Sequence, residues 1–181
     1  MKIQKKDTKA KQLIINQCKI PKQKWRYGFR SSAATGCGWI ATYNALQLMG
    51  YEVQPERLIR FYEWLLPVLN GNFGTSFWCL PVFFKAHGFR VKISFRRKKF
   101  DEMLQNADVC VLLYSWRRKL KYGAHYVTVK RKGEQVIGYN TYTNSTGPDL
   151  YGDSLAGFLK VRKYFWPMLI AIEDRKKEEK L

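Results

Sequence analysis

With 181 residues, 46% hydrophobic and 15% aromatic, the chain is long enough to bury one core without disulfide staples, and its composition excludes a disordered protein. The 33 Lys and Arg against 14 Asp and Glu give a net charge of +19. That charge implies attraction to nucleic acid, an anionic membrane face or an acidic peptide, or else serves solubility. No apolar run reaches membrane-spanning length and "MKIQKKDTKAKQLIINQ" has no signal-peptide core, so a cytoplasmic location is expected. Cys18, Cys37, Cys79 and Cys110 form no CxxC pair, which fits reduced thiols and no metal site.

Residues 1–24 read as a basic arm that drapes over the domain or stays mobile, 25–173 as one domain and 174–181 as a charged tail. In "ATGCGWIATYNALQLMG", Ile40, Asn44 and Leu48 share a face beside Ala41 and Ala45. This is the spacing of a packed helix, with Cys37 at its N-terminal end and Gly50 as its stop. Pro55 opens a second helix carrying Leu58, Ile59, Tyr62, Leu65 and Leu66 and ending near Pro67. After the glycine-rich "NGNFG", Thr75 or Ser76 is expected to cap a third helix that Pro81 bends and Gly88 closes.

From there the period changes to that of strands. "FRVKISF" alternates, "VCVLLY" is a short buried run, and "HYVTVKRKGEQVIGYN" reads as two strands around a turn containing Gly133. "DSLAGFLKV" adds a short helix, and "YFWPMLIAIE" a late strand interrupted by Pro167. The fold class is therefore α+β, a helical half followed by an antiparallel sheet.

A thiol at a helix N-terminus meets unpaired N–H groups and the positive end of the dipole, so Cys37 is expected to react below the pH of an ordinary cysteine. Gly36 and Gly38 leave the sulfur approachable, and the first-turn amides can hold an oxyanion. A nucleophile needs a base. His125 opens the strand "HYVTV", whereas His87, before Gly88, fits a helix-end cap. Asn140 is the candidate orienting partner for His125, brought beside it if Tyr126–Lys130 pairs with Gln135–Tyr139. Asp149 and Asp153 are alternative orienting carboxylates, and Cys18, Cys79 and Cys110 are expected to be buried small residues. "FRRKKF" and "WRRKLKYG" read either as an anion-binding surface or as solvated loop charges.

The motifs "CGWIATYNAL", "GTSFWCL", "GAHYVTV" and "YN" occur here in one order. This pattern resembles papain-like cysteine peptidases, and within them the bacterial family related to double-glycine leader peptidases. The resemblance spans roughly Trp25 to Thr143. It implies the papain-like fold, with a nucleophile at Cys37, a general base at His125 and an orienting residue at Asn140. It further implies a thiol hydrolase that cleaves a peptide or related amide through a thioester, without cofactor or metal. The family places an oxyanion-hole glutamine six residues before the cysteine, where this chain has Ser31, and the upstream Gln23 is too distant to be carried over. Ser31, with Gly36 and Gly38, is thus the candidate oxyanion side; loss of one such donor costs about two to three powers of ten in rate. The same residues serve acyl transfer to an amine. The expected partner is a peptide or protein, favoured if acidic; nucleic acid is the less favoured one. The alternative reading is a silent papain-like module that binds an anionic partner.

Overall fold

A computed structural model describes residues 3–5, 12–65, 74–118 and 120–175. Its first half comprises the short strands β1 (Gln4–Lys5), β2 (Arg26–Tyr27) and β3 (Arg30–Ser31), a single-turn helix α1 (Ser32–Thr35) and the longer α2 (Cys37–Leu48). Then follow β4 (Tyr51–Glu52), which pairs with β1, and the helices α3 (Pro55–Trp64) and α4 (Cys79–Ala86). Almost every residue of α2 is buried, as expected of a helix whose only polar interior positions are Thr42 and Asn44. Pro55 occupies the first turn of α3, where its missing N–H costs nothing; the expected helix end near Pro67 lies outside the described residues.

Helix α4 starts at Cys79 instead of directly after Thr75 or Ser76, because the Cys79 N–H is taken by the Ser76 carbonyl in a turn at 3.1 Å. Pro81 consequently sits in the first turn, among N–H groups that have no intrahelical partner, and has no bond to break.

The second half contains β5 (Arg90–Ser94), α5 (Phe100–Asn106), β6 (Val109–Arg118), β7 (Lys121–Lys132), β8 (Gln135–Tyr139), β9 (Asp149–Gly152), α6 (Leu155–Val161) and β10 (Phe165–Glu173). Its strands form one six-stranded antiparallel sheet in the order β5-β10-β6-β7-β8-β9. One face carries Val109, Val111, Tyr126, Ile170 and Ile172 into a core shared with α2, α3 and α4. The other carries Leu112, Val127, Val129 and Leu169 against α5 and α6. Burial on both faces is why β6 and β10 read as continuous apolar runs, and each such side chain contributes about 1.5–3 kcal/mol. Thr128, fully buried, donates its hydroxyl to the Ala41 carbonyl at 2.9 Å and ties the sheet to α2.

Three details depart from the sequence reading. Lys132 pairs with Gln135 and Thr128 with Tyr139, two residues away from the expected register, because the turn is only Gly133–Glu134. An even slip keeps each side chain on its face but changes which residues are opposite. Pro167 interrupts the pairing but not the strand: β10 pairs Phe165 with Ser115 and Met168 with Leu113, so Trp166 and Pro167 stand opposite Tyr114 and the one extra residue makes a bulge that absorbs the missing N–H. Helix α5 was not foreseen; Asp101 within it accepts the Leu155 N–H at 2.6 Å and the Ser154 hydroxyl at 2.8 Å, so it caps α6 from outside.

The basic arm, where described, lies on the domain. Leu13, Ile14 and Ile15 pack against the first core, and the Asn44 amide bonds both main-chain groups of Ile14, at 2.9 and 2.8 Å. Among the described residues no helix is long and apolar enough to cross a membrane.

Candidate active site

Cys37 opens α2 and is half-buried. Its flanking glycines are demanded by their neighbours. A Cβ on Gly36 would stand 2.6 Å from the Ser32 carbonyl and from Trp39 Nε1, and one on Gly38 would overlap the Thr75 side chain. Thr75, from the "GTS" stretch, in turn donates to the Tyr27 hydroxyl at 3.0 Å. The "CG" and "GTS" motifs therefore form a single packing unit at the N-terminus of α2.

Burial pushes the Cys37 thiol above the ordinary cysteine range; the N–H groups of Tyr126, Gly38 and Cys37 itself pull it back only in part. The lowering expected from the helix end is outweighed by desolvation.

His125 lies on β7 opposite Tyr114, just beyond the last pair of β7 with β8. Its Nε2 is 2.6 Å from the main-chain carbonyl of Asn140. A carbonyl only accepts, so Nε2 carries the proton and Nδ1 is left with its lone pair. Burial holds the imidazole below its usual range, opposed by this hydrogen bond, and the ring is neutral near pH 7.

Asn140 thus meets His125 through its backbone instead of its side chain. It is 2% exposed and has φ of 63°, a left-handed conformation that turns the carbonyl toward the imidazole. Its amide faces Gln17: Oδ1 accepts the Gln17 N–H at 2.8 Å, and Nδ2 donates to Gln17 Oε1 at 2.9 Å. Gln17 Nε2 donates to the Ala33 carbonyl at 3.2 Å, within α1 just before Cys37. The preceding Asn16 donates to the Thr143 carbonyl at 2.7 Å.

These residues border a cleft of about 730 Å³. Gln17, Ala33, Tyr114, Trp116, His125 and Asn140 are on its walls, and no charged side chain is among those lining it. Cys37 is not on those walls either. Strand β7 sends Tyr126 toward α2 and places His125 with the opposite parity, so Cys37 reaches the strand at the main chain of Tyr126. Among the described residues no hydrogen bond joins the Cys37 thiol to the imidazole.

The remaining candidates lie apart. Ser31 ends β3 half-buried and precedes α1 without a side-chain cap bond. Asp149 accepts the Ser145 hydroxyl at 2.7 Å, and Asp153 meets Arg131 through its carbonyl at 2.9 Å, so neither orients His125. Cys79 and Cys110 are buried, but Cys18 is exposed and lines the cleft, contrary to expectation, because the one-turn helix Gln17–Lys19 turns it outward. Sequence reasoning missed Gln17 and Asn16 altogether; "INQC" in a basic arm carries no local sign of a partner more than 100 residues away. Compared with models of known protein families and with curated proteins, the chain matches none.

Proposed function

We propose that the protein is a thiol hydrolase of papain-like fold, a cysteine peptidase or amidase, with Cys37 as nucleophile and His125 as general base. The observation that carries this reading is the Asn140 carbonyl on His125 Nε2, which leaves the Nδ1 lone pair uncommitted on the residue next to Tyr126, whose N–H meets the Cys37 thiol.

In this reaction the thiol turns from the Tyr126 N–H toward Nδ1, gives up its proton and attacks the substrate carbonyl carbon. The oxyanion is met by the first-turn N–H groups of α2 and by the second amide hydrogen of Gln17, which takes the part expected of Ser31. Collapse breaks the C–N bond; the leaving amine takes the proton from His125, and a thioester remains on Cys37. Water then hydrolyses it, or a second amine accepts the acyl group. Thiol and imidazole start neutral, so His125 acts at the moment of attack and not as one half of a standing ion pair. The uncharged cleft suits neutral groups around the scissile bond.

A silent module that binds an anionic partner is the second reading, favoured by the thiol resting on a main-chain N–H instead of on the base. Labelling with a peptidyl electrophile and mass mapping tests both. Modification confined to Cys37 and lost in His125→Ala supports the hydrolase; modification of Cys18 alone supports the silent module.

A further inference from the structure

The positive charge of this chain is unevenly placed, and the hairpin beside the cleft is among its least balanced parts. From Ser115 to Ala124 there are four Lys or Arg and no Asp or Glu. Pairing of β10 with β6 stops at Phe165–Ser115, and pairing of β8 with β7 at Thr128–Tyr139. Beyond Ser115 the hairpin therefore continues as a two-stranded projection, and Trp116 and Ala124 at its base line the cleft.

The projection displays apolar groups on this cationic background. Leu120, in the turn, is 90% exposed and Tyr122 is 64% exposed. Arg117 stands 5.2 Å from the Tyr122 ring centre, and Lys121 between them is exposed. In the neighbouring bulge of β10, Trp166 is 81% exposed with φ of 45°. A bulky aromatic adopts that backbone only where surrounding structure imposes it.

Water stabilises the cations but not Leu120 or Trp166, whereas the interface of an anionic bilayer stabilises both kinds of group. Apolar tips enter the acyl boundary, aromatic rings sit at headgroup level, and Lys and Arg reach back to lipid phosphates. A nucleic acid fits less well: Leu120 has no stacking face, and Arg117 already lies at the Tyr122 ring.

We propose that the tip of the β6–β7 hairpin docks on an anionic phospholipid bilayer, with Leu120 inserted, Tyr122 and, from the neighbouring strand, Trp166 at the interface, and Arg117 and Lys121 on phosphates. Docking there turns the rim of the cleft toward the membrane surface.

The test is flotation of the full chain with vesicles of phosphatidylglycerol and phosphatidylcholine, or of phosphatidylcholine alone. The wild-type chain is expected to float with the anionic vesicles only. Leu120→Asp should weaken partitioning about tenfold or more, the size set by one inserted leucine. Arg117→Ala with Lys121→Ala should weaken it by about tenfold or more, and raised salt should weaken wild-type binding. An unchanged thermal midpoint shows that these surface variants are folded. Absence of flotation with anionic vesicles overturns the proposal. Equal flotation of Leu120→Asp and wild type also overturns it, leaving charge alone. Salt-sensitive binding of an RNA homopolymer without vesicle binding assigns the hairpin to nucleic acid instead.

Discussion

Gln17 and Asn140 exchange two hydrogen bonds across 123 residues of sequence, the Gln17 N–H donating to Oδ1 at 2.8 Å and Asn140 Nδ2 donating to Gln17 Oε1 at 2.9 Å. With its amide held this way, Asn140 stays left-handed and its carbonyl, not its side chain, orients His125.

That arrangement separates two substitutions at one position. Asn140→Gly keeps the left-handed backbone at no steric cost, whereas Asn140→Ala adds a penalty of about 1–2 kcal/mol for it. Asn140→Gly is therefore expected to retain more hydrolysis than Asn140→Ala. Equal loss in the two variants, measured as kcat/KM, would return the orienting role to the side chain.

Gln17→Ala leaves the buried Asn140 Nδ2 without its acceptor, while Oδ1 keeps the main-chain N–H of residue 17, and is expected to lower stability by about 1–3 kcal/mol, read from the urea midpoint. Because the Asn140 carbonyl raises the His125 pKa against burial, loosening it should move that pKa further down. An NMR titration of the imidazole checks the direction, and a His125 titration that does not move would count against the clamp.

The proposed nucleophile and base set the pH dependence in opposite ways. The His125 pKa is depressed, so the neutral base persists below about pH 6.5 and the acid limb of kcat/KM is expected there. Its contribution to stability is complete above that pH and is lost as pH falls, since the unfolded chain protonates first. The Cys37 pKa is raised, so alkylation of the free protein should inflect above about pH 8.5, with stability falling as the unfolded thiol ionises first. His125→Ala is expected to reduce turnover by about 10²- to 10⁴-fold.

Gly38→Ala places a methyl group against Thr75 and is expected to cost about 1–3 kcal/mol by overpacking. Thr75→Gly removes the obstructing atoms, so the double variant should lose less than the two single losses together. A thermodynamic cycle from denaturant unfolding measures the difference, and strict additivity would mean that the "CG" and "GTS" motifs do not form one unit.

What local order could encode was legible. The helix opening at Cys37, Gly50 as its stop, Pro55 at the start of α3, the strands around Gly133 and a short helix in "DSLAGFLKV" all follow from side-chain period and turn chemistry within a few residues. Helix α5 escaped because seven residues carrying only Phe100 and Leu104 as buried anchors present too little period to read.

The site was decided by tertiary structure, because its contacts are long-range and partly main-chain. The β7–β8 register depended on a turn of Gly133 and Glu134, and a shift of two residues left every face unchanged while moving Asn140 along the ladder. Gln17 was reached only by folding the basic arm against Asn140, and the thiol's pKa by burial that outweighs a helix end visible in the sequence. The sequence determined by itself which residues offer a thiol at a helix start and an imidazole on a strand; packing decided which atom of Asn140 faces the imidazole and how far the thiol is held from water.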